Sequence, residues 1–530
     1  MKSDLLDSIM FTVGLLAVLR SKSHNGATIG VMVTASHNPE ADNGVKLVEP
    51  LGEMLDQAWE EYAITLANCE THQQLQAALD DIIKKCKINM DAPANIVVAR
   101  DTRPSGEALV ASLKDGVKAL NGKITDYGLQ TTPQLHYVTR CINTANTPNA
   151  YGEPTTDGYH KKLADAFKKI VSGKPRLSPL LVDCANGIGA VALKELCQHL
   201  GEDLAVTSSN TDINGKGVLN FECGADYVKI GQKAPRGTSL SPNQRACSLD
   251  GDADRIMVIV SNLAGVFRLL DGDKIATLAA GFIMSKIKEA NVTHADKSPL
   301  RVGLVQTAYA NGSSTDYVKN KLQVPTVFTP TGVKHLHHEA AHFDVGVYFE
   351  ANGHGTVLFS DAAVTAFKNA EGKNEAEKKA IETLRALSDL INQTVGDALS
   401  DMLMVEAILV CTQQSFKQWD SAYTDLPSRQ EKVKVASRAA FVPIKADTEL
   451  VEPKGLQEKI NAQVAKFKKG RCFVRPSGTE DVVRVYAEAE TKEETETLTY
   501  AVCGIVFDSF GGVGERPSKF KKVDAAGNII

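Results

Sequence analysis

The sequence predicts an α/β protein of several domains, three α/β units followed by a smaller α+β one. Its 530 residues accommodate three or four domains at roughly 150 residues each. One theme recurs at Ile29 to Pro39, Leu180 to Gly189 and Val302 to Ser314: an apolar run, a turn of Ser, Asn and Gly, then a helical pattern. Each reads as a βα unit, and repeated βα units argue for parallel sheets covered by helices, with functional loops at the strand ends. The stretch 431–530 is shorter and reads as an α+β unit. The expected domains are therefore 1–175, 176–297, 298–430 and 431–530.

Taken in order, Ile9 to Leu19 is apolar, preceded by Asp4 and Asp7, and too short to span a bilayer, so a buried amphipathic helix is expected. Ile29 to Val33 is β-branched and apolar, a buried strand, and His37-Asn38-Pro39 forces a turn after it. Ser36 then sits on a loop where a strand stops, a place where a hydroxyl can meet a substrate. Alone, that segment is an ordinary Ser/Asn turn. Tyr151 to His160 is rich in turn formers and belongs either to the first domain or to a linker. A helical pattern from about Glu371 to Val410, interrupted near Gly396, closes the third domain, and a linker is expected from Gln418.

Two distant segments give Ser36 chemical meaning. Asp250-Gly251-Asp252-Ala253-Asp254-Arg255 precedes the strand-like Ile256 to Val260. In an extended backbone alternate side chains share a face, so the three carboxylates can converge on one hard cation. An EF-hand would need Gly and Glu where this chain has Arg255 and Ser261, and magnesium is the natural occupant of an all-oxygen site. The other segment is Arg475-Pro476-Ser477-Gly478-Thr479-Glu480, between apolar Cys472 to Val474 and the strand Val482 to Tyr486. A guanidinium, two hydroxyls and a glycine-loosened backbone can donate into one concavity, a phosphate cradle. It lacks the lysine and spacing of a P-loop.

Composition excludes other classes. With 43% hydrophobic and 23% charged residues and a net charge of −5, the chain has no polyanion affinity, which argues against nucleic acid. Ten cysteines without a CxxC pair fit reduced thiols in the cytoplasm. Lys519 to Lys522 reads as a solvated tail.

The segments TASHNPEADNGVKLV, DCANGIGA, DGDADR, QTAYANGSS, TGVKHLHH, YFEANGHG and FVRPSGTEDVVRVYAEA, in this order, resemble the α-D-phosphohexomutase superfamily almost end to end. The resemblance implies three similar mixed-sheet α/β domains plus a smaller C-terminal α+β domain around a central cleft. It implies a phosphoserine at Ser36 and one Mg2+ per active site, held by Ser36, Asp250, Asp252 and Asp254. Arg475, Ser477, Gly478, Thr479 and Arg484 would bind the phosphate of the substrate. His37, Lys46 and Arg255 would lie close to the phosphoserine. Lys46 is expected to handle the proton, because a lysine serves if cationic neighbours lower its pKa, whereas an arginine stays charged. Glu350, Asn352 and His354 would read the sugar, Glu350 by accepting from ring hydroxyls. Glucose and mannose relatives typically carry Ser where this chain has Asn352, which resembles the acetylglucosamine branch.

The implied activity is an isomerase that moves a phosphoryl group between O6 and O1 of N-acetylglucosamine through a 1,6-bisphosphate, a step towards UDP-N-acetylglucosamine. The implied partner is a small-molecule sugar phosphate, with no nucleic acid, no membrane, and a monomer or weak dimer in the cytoplasm. Alternatives are a metal-dependent phosphomonoesterase using the same serine, or a non-catalytic sugar-phosphate binder. Thr331 to His335 is expected to flank the sugar pocket, and His335, His337 and His338 to be exposed rather than metal-bound. Asp101 to Ser105 either orients the serine loop or is scaffold; Asp183 to Ala190 has too few glycines for a dinucleotide fingerprint and reads as scaffold; Gln306 to Ser314 reads as a helix entrance that could line the cleft. Superfamily chains usually open with a strand and a Gly-Thr-Ala/Ser-Gly-x-Arg loop, whereas this sequence starts almost in the following helix. Reduced activity and a missing edge strand in the first domain are expected from that difference.

Overall fold

The computed structural model describes residues 1–215, 218–261, 266–478 and 480–518. They form two compact units, residues 1–300 with 352–417 and residues 301–351 with the chain from Gln418 on. Thr479 and the Lys519 to Lys522 tail lie outside the described residues.

In the first unit, Thr28–Val33 is buried at every position. It pairs in parallel with Asn95–Arg100 and antiparallel with Val45–Val48, and Lys123–Leu129 extends the sheet in parallel. After Pro39 the chain therefore returns as an antiparallel strand, where a helix was expected. The sheet is mixed, and that return brings Lys46 back beside the serine turn.

Asp7–Ser23 is a helix, as the sequence predicts, but not an amphipathic one: Thr12 to Leu19 are buried without a break. It is covered by the helices Gln57–Ala67 and Gly106–Ala119 as well as by the sheet. At the crossing with Gly106–Ala119, Gly14 meets Gly116, and a Cβ on Gly14 would come within 3.0 Å of the Gly116 Cα. Missing side chains let the two backbones approach.

The second sheet has the order Val206–Ser209, Leu180–Asp183, Arg245–Leu249, Ile256–Ser261, Phe267–Leu270. Its first three strands are parallel and its last two antiparallel. Leu180–Asp183 leads into the helix Gly189–Leu200, the expected βα unit. The predicted long helical pattern is two helices, Glu375–Leu390 and Ala398–Thr412. Asp397 caps the second by accepting from the amides of Leu399 and Ser400, which accounts for the interruption. Within it, Glu406 accepts two bonds from Arg245 Nη1 at 2.7 and 2.6 Å, both groups buried.

In the second unit, Val302–Thr307 lies between Thr326–Thr329 and Val345–Phe349, all parallel, and leads into the helix Gly312–Tyr317. The carboxy-terminal part is the expected α+β unit: Ser428–Lys434, Val482–Glu488 and Arg471–Pro476 form an antiparallel sheet against which Lys492–Ser509 packs. A capping box at Thr491 and Glu494 starts that helix. The predicted linker after Gln418 buries Trp419. All ten cysteines are free, and no helix among the described residues is long and apolar enough to cross a membrane.

Candidate active site

Ser36 is buried at the end of its strand, with a φ of 47°. A non-glycine residue in the left-handed region is held there by its surroundings. Its Oγ donates to Asp252 Oδ2 at 2.9 Å and accepts from Lys46 Nζ at 3.0 Å. Serine loop, aspartate triplet and Lys46, more than 200 positions apart in the chain at the extremes, thus meet in one place.

The triplet converges, though not as an extended strand. Asp250 to Asp254 is a turn between Arg245–Leu249 and Ile256–Ser261, with Ala253 at a φ of 58°. A strand would aim alternate side chains along a line; the turn folds them inward, and one oxygen of each lies within 4.8 Å of the others. Asp250 Oδ1 accepts from the amides of Asp254 and Arg255 at 3.1 and 3.2 Å, which closes the turn. Asp250 Oδ2, Asp252 Oδ1 and Asp254 Oδ1 are buried and accept no hydrogen bond. Buried carboxylate oxygens without donors are costly, and a hard cation with oxygen ligands relieves that cost. The donor set fits Mg2+ for that reason.

Charges around the triplet are unevenly compensated. Burial, followed by the carboxylates of Asp254 and Asp252, holds the Asp250 pKa well above the usual range. For Asp254, burial is outweighed by Lys46, His354 and Arg255, and its pKa lies well below. Lys46 Nζ donates to Asp252 Oδ2 at 2.9 Å and to Asp254 Oδ2 at 2.7 Å. Burial works against its charge, but these carboxylates prevail and raise its pKa. The expected cationic surroundings of Lys46 are therefore replaced by acidic ones.

Arg255 Nη1 donates to Asp226 Oδ1 at 2.9 Å, and its Nε lies 3.9 Å from Asp250 and 3.8 Å from Asp254. His37 Nε2 is 3.4 Å from Asp226 Oδ2. Burial and then Arg255 lower the His37 pKa. Asp226 and Thr132, whose Oγ1 donates to Asp252 Oδ2 at 2.6 Å, went unnoticed in the sequence. Nothing in their local sequence distinguishes them from ordinary helix residues.

The residues expected to read the sugar divide. Glu350 directly follows Val345–Phe349 in the second unit. Asn352 and His354 belong to the first, where Asn352 Oδ1 accepts from the His354 amide at 3.0 Å. The buried His354 ring sits against the triplet, its Nδ1 2.8 Å from the Asp254 carbonyl and 3.4 Å from Asp254 Oδ1. His337 Nδ1 lies 3.0 Å from the Tyr348 hydroxyl, and His335 and His338 are exposed.

The predicted phosphate cradle lies at the end of the hairpin Arg471–Pro476 and Val482–Glu488. Register places Arg475 directly opposite Arg484. Like charges across a strand pair repel unless an anion joins them. Arg484 Nε is buried and without a partner, as is the Tyr309 hydroxyl. Arg475 Nε lies 3.4 Å from Asp447 Oδ2, which also accepts from the Thr331 amide at 2.9 Å. Asp447 lies in a turn closed by the Thr448 amide on the Lys445 carbonyl at 3.3 Å, in which Lys445, Ala446 and Asp447 have φ of 49°, 56° and 66°. Ser477 is buried, with its carbonyl accepting from Arg438 Nη1 at 3.1 Å, and Gly478 is exposed to open space.

Family models agree along the chain. Residues 9–147 match "Phosphoglucomutase/phosphomannomutase, alpha/beta/alpha domain I" in two overlapping segments, and 157–257 match "Phosphoacetylglucosamine mutase AMG1, domain II". Residues 271–414 match domain III of the same mutase, and 431–504 match "Phosphoglucomutase/phosphomannomutase, C-terminal domain". The phosphoacetylglucosamine mutase of Sus scrofa is 53% identical over 522 residues, 97% of this chain and 94% of that protein. The crystal structure of Aspergillus fumigatus N-acetylphosphoglucosamine mutase in complex with GlcNAc-6P and magnesium has a TM-score of 0.92 at 51% identity, covering 96% of this chain and 94% of that one. A serine-to-alanine variant of the same mutase in complex with glucose 1,6-bisphosphate matches with a TM-score of 0.92 and 51% identity, over 97% and 94% of the two chains. With the serine, the aspartate triplet and the paired arginines all in place, the chain belongs to the phosphoacetylglucosamine mutases of the α-D-phosphohexomutase superfamily.

Proposed function

We propose that this protein interconverts N-acetylglucosamine 6-phosphate and N-acetylglucosamine 1-phosphate through a phosphoryl group carried on Ser36. The observation that carries the reading is the buried Ser36 Oγ, bonded at once to Asp252 of the acidic triplet and to the Lys46 ammonium. Asp250, Asp252 and Asp254, with an oxygen on Ser36, would hold one Mg2+, which when bound neutralises phosphoryl oxygens and stabilises charge during transfer.

The chain's own residues do the rest. Arg475 and Arg484, with Ser477, Gly478 and Thr479, hold the phosphate already on the sugar, since paired guanidiniums match its oxygens. The free sugar hydroxyl attacks phosphorus, the bond to Ser36 Oγ breaks, and a bisphosphate forms. When the other phosphate is presented, Ser36 Oγ attacks it and the isomeric monophosphate leaves. Lys46, 3.0 Å from Oγ and kept protonated by its carboxylates, gives a proton to Oγ as phosphorus leaves and is reprotonated by the proton the attacking sugar hydroxyl releases; when the serine attacks, it takes the proton from Oγ and the departing sugar oxygen receives one in return. Arg255 and His37, both facing Asp226, orient the groups around the serine. Glu350, Asn352 and His354 read the sugar, and Asn352 favours the N-acetylated substrate.

Within this reading the chain divides near residues 175, 297 and 430 and acts in the cytoplasm as a monomer or weak dimer. The test is an isomerisation assay with N-acetylglucosamine 6-phosphate on this chain and on Ser36→Ala, with released phosphate measured in parallel. Isomer formation lost in Ser36→Ala supports the reading; turnover retained in the variant, or phosphate released in place of isomer, rejects it.

A further inference from the structure

The Ser36 peptide is gripped at both ends by groups that take no part in the reaction above. At its amide, Ser36 N donates to Thr34 Oγ1 at 2.9 Å, and Thr34 Oγ1 donates to Asp101 Oδ2 at 2.7 Å. At its carbonyl, Arg103 Nη2 donates at 2.9 Å. The same Nη2 reaches the Asn38 carbonyl at 2.9 Å, and Nη1 reaches those of Pro39 and Asp42 at 2.6 and 2.8 Å. Nε donates to Asp101 Oδ2 at 3.0 Å. All five guanidinium donors are thereby used, within a side chain that is 0% exposed, on four carbonyls of the serine loop and one carboxylate. A surface arginine serving only solubility would not be spent this way.

An independent donor arrives from the segment ahead of the helix Ala225–Gly231. Asn220 Nδ2 donates to the Ser36 carbonyl at 2.9 Å and to the Asn38 carbonyl at 3.1 Å, the same two acceptors that Arg103 Nη2 takes. Gly251, between the first two aspartates of the triplet, lies against both: a Cβ there would meet the Ser36 carbonyl oxygen at 2.6 Å and Asn220 Nδ2 at 2.9 Å. The conformation they enclose is the one that needs enforcing, a serine with a φ of 47°.

We infer that Arg103 and Asn220 are positioning residues that lock Ser36 in its left-handed conformation and so fix the direction of its Oγ. The inference rests on the mutase reading for its kinetic consequence, but not for its structural one. Misplacing a reacting atom by about 1 Å can cost about a hundredfold in rate. Arg103→Lys, which cannot fork onto several carbonyls, should lose about a hundredfold in kcat, and Asn220→Ala and Asn220→Asp about tenfold each. KM should stay within about threefold, because the side-chain donors of both residues are already taken by the serine loop and Asp101.

The second readout is uptake of phosphoryl by Ser36 from glucose 1,6-bisphosphate, followed by intact mass. In that step a sugar–oxygen bond to phosphorus breaks, one to Ser36 Oγ forms, and the serine proton passes to the released sugar oxygen. Its rate should fall by the same factor as kcat while the thermal midpoint of the Asn220 variants holds. Wild-type kcat and uptake in both Asn220 variants, or a loss confined to KM, would overturn the inference. Should Arg103→Lys fail to fold, the Asn220 pair still decides. Crystals of Asn220→Ala separate this inference from the function: Ser36 keeping its φ near 47° overturns the clamp even if wild type proves inactive, and Ser36 leaving that region supports it.

Discussion

Around Ser36 the acids outnumber the cations, whereas at the Arg475–Arg484 pair of the carboxy-terminal hairpin two cations have the single carboxylate of Asp447 beside them. Lys46 and Arg255 each face more than one carboxylate, and three carboxylate oxygens of the triplet still lack a donor. Arg475 stands opposite Arg484 with Asp447 beside it, and Arg484 Nε has no partner. The first region is short of positive charge and the second short of negative charge. On the proposed reading each charge imbalance is what its ligand would relieve: a divalent cation in one case, a phosphate in the other.

The largest effect should come from widening the first imbalance. Asp252 contacts Ser36, Lys46 and Thr132 together. Asp252→Asn is expected to lower kcat by about a thousandfold or more, with Mg2+ binding abolished in calorimetry. Near-normal metal binding in this variant would show that the triplet is not the cation site. For the hairpin the signature differs. Arg475→Ala and Arg484→Ala should each lose about 2 kcal/mol of phosphate binding, seen as a rise in KM of about thirtyfold. Inorganic phosphate should raise the thermal midpoint of wild type and leave these variants unmoved. A loss in kcat alone would break the contrast between the two regions.

Asp447→Asn asks whether the acid beside the arginine pair competes with phosphate or orients Arg475. Because its other oxygen contact is the Thr331 amide, orientation is expected, with a rise in KM of about threefold to tenfold. A fall in KM would identify a competitor instead.

The smallest effect comes from Asp401, a carboxyl in the first unit that is fully buried with both oxygens unpartnered. Burial, then Asp397, holds its pKa well above the usual carboxylate range. The folded form thus binds a proton that the unfolded form releases above about pH 4, so this group's contribution is fully present below that pH and declines as pH rises. Asparagine does not titrate. The thermal midpoint of Asp401→Asn relative to wild type should therefore climb by a few degrees between pH 4 and pH 8; a flat difference would mean that the carboxyl is ionised in the fold.

Local sequence was enough to mark both regions. Strand Thr28–Val33, the Asp250 turn and the Arg475 hairpin each carry their chemistry within a few residues, and apolar runs beside polar turns are visible without coordinates. What went unread was whatever depended on who lies opposite. The first helix was expected to keep a polar face, but packing on several sides buries it. The carboxylates around Lys46 follow from the antiparallel return through Val45–Val48, which no short-range pattern announces. Asp226, Thr132 and Asn220 carry no local signal, since their roles exist only against residues distant in the chain.

By itself, then, the sequence determined which groups are present and in what short-range order: a hydroxyl after a buried strand, three acids at alternate positions, two arginines on either side of a glycine-containing loop. Only the tertiary structure decided their charges and directions. Protonation and orientation depend on burial and on partners within a few ångströms, and those partners are chosen by folding rather than by adjacency along the chain.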